Sequence, residues 1–390
     1  MTSQNGDLAL GAYSAKRCPR VAHNDHAPAS PPKTGLAPGK QLLLEEGVLF
    51  ERAVIDLIRT ILDEESGHRL VVIGNKHWDE ATAATVAAMS DGFEVIVNGR
   101  LPDIGGRRGA PDVLIRLGSG YVPVDIKNHQ TLVESKTKSV TVSALADPTQ
   151  RFEYPQRSDA ADNRRDDCMQ LAHYTRMLQR LGFHSAGAMD EHHELLIGGI
   201  IGTSDFTAST GDPHGITWYQ LAQAREKTYS VSAESHRKTR TTLDRYDHEF
   251  AFRLKVAASA RRGEEIVKPF GIDECDDCVW NSHCVTIAGP EDASFAIKTG
   301  RLDMREWKFL YDRGITTVHA LAHLDTDSLI SEFAQYSTKS KPDQRLANAI
   351  RRAQMTLDGI AFQLRHGWPE IPAADVEADF DIEWDAEGRI

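Results

Sequence analysis

Asp112, Asp125 and Lys127 lie close together in the chain and are the residue types that metal-assisted hydrolysis requires. Carboxylate and carbonyl oxygens hold hard divalent cations such as Mg²⁺ or Mn²⁺. The cation polarises a phosphate and lowers the pKa of a bound water, while a nearby ammonium stabilises the negative charge that develops. The pattern predicts a site for phosphodiester cleavage. The alternative is a surface hairpin whose charges are simply solvated.

The stretch 109–129 that carries these residues predicts a β-hairpin. Apolar runs at residues 113–115 and 121–124 flank a glycine-containing turn at residues 118–120. Because side chains alternate along a strand, Asp125 and Lys127 share one face and Ile126 points to the other. Asp112, at the start of the first strand, then converges with Asp125 at one end of a sheet.

Pro111-Asp112 followed by Asp125-Ile126-Lys127 resembles the PD-(D/E)XK motif of nucleases, in the Asp-x-Lys form of the RecB family. The resemblance implies that Asp112 and Asp125 ligate a divalent metal ion together with the carbonyl oxygen of Ile126. It also implies that Lys127 stabilises the developing charge and orients the attacking water.

A helix is predicted over residues 41–62. At helical spacing Glu51 falls on the same apolar side as Val54 and Ile58, where an unpaired carboxylate is costly. A metal site would satisfy it; a glutamate at the edge of the apolar stripe is the alternative. Gly47-x-x-x-Glu51 resembles the first motif of RecB nucleases, which implies that Glu51 is a further metal ligand.

A second helix is predicted over residues 162–182, with Gly182 as its C-cap. Gln170 and Tyr174 lie one turn apart on it and resemble the QxxxY motif that follows the catalytic lysine in RecB-family enzymes. The resemblance implies that they bind the DNA phosphates or order the active-site water. A core helix with a buried tyrosine is the alternative.

The five cysteines are too few and too unevenly placed for a disulfide framework. Cys275, Cys278 and Cys284 form a C-x2-C-x5-C run that indicates a metal site with one ligand missing, and Cys18 is the best candidate for the fourth. This arrangement resembles the iron–sulfur group of RecB-type nucleases, which includes AddB-like and CRISPR-associated exonucleases. It implies a [4Fe–4S] cluster, with zinc as the alternative. Cys168 is expected to pack in a helix.

The composition, with 41% hydrophobic and 26% charged residues among 390, is ordinary for a globular protein. A net charge of −12 excludes a polyanion-binding surface over the whole molecule and leaves only local basic patches. No stretch approaches the roughly 20 apolar residues of a membrane helix, and the N-terminus lacks a signal-peptide core. We expect a cytoplasmic protein that acts at the bacterial nucleoid.

The expected fold is α/β with a PD-(D/E)XK restriction-endonuclease-like core, since a helix, three strands and the acids follow one another in that order. Residues 21–40 are expected to form a loop, and residues 130–160 an extended or mobile insertion. Three regions are expected: a nuclease domain over 1–288, a helix-hairpin-helix-like domain over 289–370 and an acidic tail over 371–390.

The resemblance, which covers roughly residues 10–330, implies a metal-dependent DNA nuclease that trims single-stranded ends or flaps in repair or recombination. The expected partners are DNA with free ends and a helicase or another repair protein, with no membrane. Two alternatives stay open. One is an iron–sulfur DNA-binding module without efficient cleavage. The other is a metal-dependent RNase, since nothing in the sequence indicates a contact to a 2′-hydroxyl.

Overall fold

The chain forms two compact units in the computed structural model, which describes residues 8–36, 38–62, 69–74, 77–161, 163–187, 192–230, 232–233, 235–326 and 329–361. The first comprises Met1–Ser30, Gln41–Glu226 and Thr239–Val267; the second comprises Pro31–Lys40, Lys227–Lys238 and Lys268–Ile390. This division differs from the expected boundary at residue 288, because residues 268–288 group with the helices that follow. The acidic tail over 371–390 lies outside the described residues.

The first unit is a mixed α/β structure, as expected. Its strands are β1 (Leu70–Val72), β2 (Val95–Val97), β3 (Leu101–Ile104), β4 (Arg107–Gly109), β5 (Val113–Leu117), β6 (Gly120–Ile126), β7 (Val133–Ala144), β8 (Phe152–Ser158), β9 (Ile197–Ile201) and β10 (Gly215–Gln220). Eight of them form one sheet in the order β1-β2-β5-β6-β9-β10-β7-β8, and β3 pairs with β4 in a separate ribbon. Within the large sheet β1–β2 and β6–β9 are parallel pairs, and the other neighbours are antiparallel.

Helices cover this sheet. They are α1 (Pro19–His26), α2 (Pro38–Ile61), α3 (Trp78–Ser90), α4 (Arg164–Leu181), α5 (Thr207–Thr210) and α6 (Thr242–Arg261). A short 3₁₀ turn follows α4 at His193–Leu195, and the strands β11 (Ala224–Tyr229) and β12 (Arg237–Thr241) form a further ribbon. The apolar side of α2 packs Val54 and Ile58 against β5 and β6 in one core cluster. The stripe predicted for this helix is therefore confirmed.

The predicted hairpin is confirmed. β5 and β6 pair antiparallel from Val113 opposite Val124 to Leu117 opposite Gly120. The turn between them places Gly118 at φ +64°, which a residue without Cβ adopts without strain. Every residue of β6 is buried, and its parallel pairing with β9 extends to Ile126. The acid-bearing end of β6 is therefore held by strands on both sides.

Two expectations about loops are wrong. Residues 19–26 form α1, whose sequence PRVAHNDH has no apolar periodicity but packs on α6. Residues 133–158 form β7 and β8 rather than an insertion. β8 lies at the edge of the sheet, and the outer half of β7 is exposed and polar. The inner half of β7 does alternate, because Val140 and Val142 are buried and lie two residues apart, but this pattern covers only a few residues.

The second unit is helical over residues 268–326 and 329–361, which are its described residues after α6. Its helices are α7 (Asn281–Ala288), α8 (Ala293–Ala296), α9 (Met304–Tyr311), α10 (Val318–Ala322), α11 (Ile330–Tyr336) and α12 (Pro342–Leu357), after a 3₁₀ turn at Asp273–Asp277. Trp307 and Phe333 are buried in its core. The predicted helical hairpin is present: Gly314 takes φ +81° after α9, and Thr317 caps α10 by accepting from the Ala320 N–H at 3.1 Å. No helix of the described residues is long and apolar enough to span a membrane.

Candidate active site

The two hairpin acids meet at one end of the sheet, as predicted. Asp125 is fully buried, and its Oδ2 lies 3.1 Å from the Nζ of Lys127. The Ile126 N–H donates to Oδ2 of Asp112 at 2.7 Å, and the Asp112 N–H approaches Oδ1 of Asp125 at 3.5 Å. Ile126 turns its own side chain into the apolar cluster shared with α2. The alternation along β6 thus separates the apolar face from the ionised one.

The charges of these residues act strongly on one another. Burial raises the pKa of Asp112 well above its usual range, and the neighbouring Asp125 carboxylate raises it further. Burial alone would lower the pKa of Lys127, but the Asp125 and Asp112 carboxylates outweigh that effect and raise it. Lys127 therefore stays protonated at neutral pH, and its single charge faces two carboxyl groups.

Glu51 of α2 belongs to the same electrostatic cluster. It is half-buried, and burial raises the pKa of its carboxyl group; the charge of Asp125 acts in the same direction and that of Lys127 against it. Glu51 also acts on the pKa of Asp112. The predicted third acid therefore lies within electrostatic range of the hairpin acids.

Helix α4 brings Gln170 and Tyr174 to the same end of the sheet. The Nε2 of Gln170 donates to the Tyr174 hydroxyl at 3.1 Å, and that hydroxyl donates to the Ala110 carbonyl at 3.3 Å. Gly109 allows this close approach, because a Cβ there would lie 2.9 Å from the Tyr174 ring. Burial raises the pKa of Tyr174 well above its ordinary value, and the nearby Asp125 carboxylate adds to the shift. The phenol is therefore neutral at neutral pH.

One buried oxygen at this site, Oε1 of Gln170, has no hydrogen-bond donor among the described residues. Oδ2 of Asp125 is in ionic contact with the Lys127 ammonium at 3.1 Å, as described above. Among the same residues, no three His, Cys, Asp or Glu side chains already form a ligand set for one ion. Carboxylate and carbonyl oxygens are the donors that a hard cation takes. It is the oxygen chemistry of the site, and not a formed ligand set, that fits Mg²⁺ or Mn²⁺.

Four residues at the site are absent from the sequence-based prediction. His129 follows Lys127 and places Nε2 2.9 Å from Oδ2 of Asp167 on α4. Tyr13 and Lys16 come from the segment before α1, and the Lys16 Nζ lies 4.5 Å from the Tyr13 ring centroid. A tyrosine interleaved with basic residues is a recognisable signal for nucleic-acid contact. The His129–Asp167 pair gives no such signal, because the fold alone brings its members together.

The clustered cysteines lie in the second unit. Cys275 and Cys284 are buried, and Cys278 is half-buried. The backbone N–H groups of Ile272 and Trp280 point at the sulfurs of Cys275 and Cys278, both at 3.5 Å. Burial raises the pKa of the Cys275 thiol to about 11, and the neighbouring thiols add to the shift. Thiols that accept from backbone amides, as those of Cys275 and Cys278 do, are of the kind that ligate iron–sulfur clusters.

The other two cysteines belong to the first unit. Cys18 is the N-cap residue of α1, with Pro19 in the first turn, as the Cys-Pro pair predicts. Cys168 lies fully buried in the apolar core with Leu171 and Tyr246, and burial raises the pKa of its thiol to about 12. Cys168 is therefore a packing residue, as expected for a cysteine in the middle of a core helix.

The chain matches no protein-family profile, no curated protein and no solved structure in the comparisons made with each.

Proposed function

We propose that this chain is a metal-dependent deoxyribonuclease of the PD-(D/E)XK type, related to the RecB nucleases, that trims single-stranded DNA ends or flaps. The observation that carries the proposal is the contact of Lys127 with Asp125, beside Asp112, at the ends of two adjacent strands. Glu51, Gln170 and Tyr174 around this contact support it, because they are the remaining residue types of the same resemblance. The order of elements, α2, β2, β5 and β6 followed by α4, supports a PD-(D/E)XK core.

Each residue has a distinct role in this proposal. Glu51, Asp112, Asp125 and the Ile126 carbonyl would hold Mg²⁺ or Mn²⁺, which would polarise the phosphate and supply an activated water. Lys127 orients that water and stabilises charge on the phosphate oxygens, since its raised pKa keeps it cationic. Gln170 turns its unpartnered Oε1 toward the attacking water, and Tyr174 fixes the amide of Gln170.

We also propose that Cys18, Cys275, Cys278 and Cys284 hold a [4Fe–4S] cluster. The close, buried thiols of the second unit and their backbone N–H contacts support this assignment. The cluster would have no part in the hydrolytic step. Anaerobically purified protein should be brown with broad visible absorbance; colourless protein with stoichiometric zinc would assign the cysteines to zinc.

Cleavage of end-labelled single-stranded DNA tests the nuclease proposal. Wild-type protein and Asp125→Ala are incubated in parallel with Mg²⁺ or Mn²⁺, and an RNA strand of the same sequence is included. We expect wild type to shorten the DNA and Asp125→Ala to leave it intact. A ladder from RNA alone would make the protein a metal-dependent RNase. Retention of DNA without cleavage by either protein would make it a binding module.

A further inference from the structure

Tyr13 presents an exposed aromatic ring beside the acid site. Solvent reaches 43% of the surface of this residue. The Nζ atoms of Lys16 and Lys127 lie 4.5 and 5.8 Å from the ring centroid, and the Arg17 guanidinium carbon lies at 5.4 Å. Lys127 is the residue that contacts Asp125. An aromatic face ringed by cations is how proteins hold single-stranded nucleic acid, since bases stack on the ring and cations contact the backbone.

The segment that carries Tyr13 is fixed at both ends. Before it, the Leu10 N–H donates to the Gly106 carbonyl at 2.9 Å, and the Arg108 N–H donates to the Leu10 carbonyl at 3.0 Å. After it, the Arg253 guanidinium on α6 donates to the Arg17 carbonyl at 2.8 Å. A ring held in place by the fold loses little conformational entropy when a base stacks on it.

Lys16 supplies a cation that acidic side chains partly offset but do not pair with. It is half-buried and has no ion-pair partner among the described residues. Two other half-buried basic residues of this unit are paired: Arg164 with Asp159, and Arg245 with Glu226. Burial lowers the pKa of Lys16. An anion bound beside the ammonium would raise that pKa again. A backbone phosphate next to the Tyr13 ring would supply that anion.

We propose that Tyr13 stacks on the base next to the scissile phosphate of a single-stranded nucleic acid and that Lys16 contacts the phosphate of the same nucleotide. The inference rests on the proposed nuclease function and narrows its substrate to strands whose bases are free to unstack. A paired base inside a duplex has both faces covered, so Tyr13 contributes nothing to duplex binding.

Binding of a labelled single-stranded oligodeoxynucleotide to the full chain tests the stacking. Ca²⁺ replaces Mg²⁺ as the hard cation, and a gel confirms that the strand stays intact. We expect Tyr13→Ala to weaken binding on the order of tenfold or more, and Tyr13→Phe to change it by roughly twofold or less. Phe252→Ala is the matched control, because it removes an exposed ring near Arg253 on α6. It should bind like wild type, and no variant should change duplex binding.

Single abasic positions along the strand locate the stacked base. Wild type should lose affinity at one position near the cleavage site, and Tyr13→Ala should be insensitive there, because the ring and the base act as one pair. For the phosphate contact, Lys16→Gln should reduce the slope of log affinity against log salt by about 0.7. Lys255→Gln, at an exposed lysine of α6, should leave that slope unchanged.

Equal sensitivity of wild type and Tyr13→Ala to every abasic position would overturn the stacking, while continued cleavage by wild type would leave the nuclease function standing. An unchanged salt slope for Lys16→Gln would likewise remove the phosphate contact alone. A wild-type protein that neither binds nor cuts single strands would remove the proposed function and this inference together.

Discussion

The acid site on the sheet and the cysteine run of the second unit are held in opposite ways. Asp125 is fixed by β5 and β9 on either side, and its charge is balanced by Lys127 at 3.1 Å. Cys275 lies within a five-residue 3₁₀ turn, and Cys278 follows that turn directly. Burial raises the pKa of the Cys275 thiol, so the thiol is protonated at neutral pH.

Different interactions hold the side chains of the two sites in place. The sheet and the ion pair preorganise the acids before any metal binds, so the fold should not depend on Mg²⁺. In the proposed cluster the cysteines would lose protons on binding the metal, and that binding would contribute folding free energy. The first site is thus ordered by the sheet, and the second would be ordered by its metal group.

Lys127→Ala should have the largest effect on activity. Removing one preorganised donor from a site where charge develops typically lowers the rate about 100- to 1000-fold. Metal affinity should not fall, because an ammonium is not a ligand, whereas Asp125→Asn should weaken it by removing a ligand charge. Single-strand cleavage rates beside Mn²⁺ titration calorimetry separate the two variants. Wild-type cleavage by Lys127→Ala, or wild-type Mn²⁺ affinity in Asp125→Asn, would place the active site elsewhere.

Replacing a cluster cysteine should have the largest effect on stability. Cys275→Ser and Cys18→Ser should lose visible absorbance and melt several degrees lower, because a structural metal group contributes folding free energy. Cys168→Ala is the control: it should keep the absorbance and cost only the roughly 1 kcal/mol of a small cavity. EDTA, which removes Mg²⁺, should leave the melting temperature of wild type unchanged. Retained colour in Cys18→Ser would detach Cys18 from the cluster.

The pH dependence of the first unit should follow His173 on α4. Its ring is fully buried, with Nε2–H donating to the Arg108 carbonyl at 3.1 Å and Nδ1 accepting from the Tyr246 hydroxyl at 2.8 Å. Burial lowers the pKa of His173 from 6.5 to about 3. The unfolded chain therefore binds a proton below pH 6.5 that the folded chain does not.

This group's contribution to the free energy of unfolding is present above pH 6.5 and decreases as pH falls toward 3. At pH 5 the loss is about 2 kcal/mol, from about 1.4 kcal/mol per pH unit. His173→Gln, which cannot titrate, should be less stable at pH 7.5 but lose less on acidification. Hydrogen exchange of the α4 amides at both pH values measures this difference. Identical pH dependence in the two proteins would show that the ring titrates normally in the fold.

Local features of the fold follow from the sequence because short-range physics decides them. The β5–β6 hairpin needs only alternating residues and Gly118, and α4 ends at Gly182, which takes φ +77°. Spacing alone indicates Cys275, Cys278 and Cys284 as one group. Alternation along β6 and the resemblance single out the acids, and Glu51 lies within electrostatic range of Asp125 in the fold.

Contacts between distant segments could not be predicted in this way. Tyr13 reaches the acids because Leu10 pairs with Arg107 across the first unit. His129 meets Asp167 because α4 packs over β6. Neither pairing leaves a trace in local composition, so a single sequence does not indicate them. The residues most easily missed are thus those that surround the hairpin acids without belonging to their motif.

Gln170→Ala should have the smallest effect on cleavage. The amide is neutral and contributes position rather than charge, so its loss should slow cleavage by about tenfold, near the roughly 1.4 kcal/mol of one hydrogen bond. Tyr174→Phe should slow cleavage less, because it keeps the ring packed at Gly109 and removes only the hydroxyl between Gln170 and the Ala110 carbonyl.

Single-turnover rates and melting temperatures of both variants separate an effect on positioning from an effect on folding. If the amide positions the water, Gln170→Ala slows the chemical step while its melting temperature and DNA affinity stay near wild type. A rate loss as large as that of Lys127→Ala would instead make Gln170 a direct participant, and the ordered charges of the hairpin would no longer account for the catalysis.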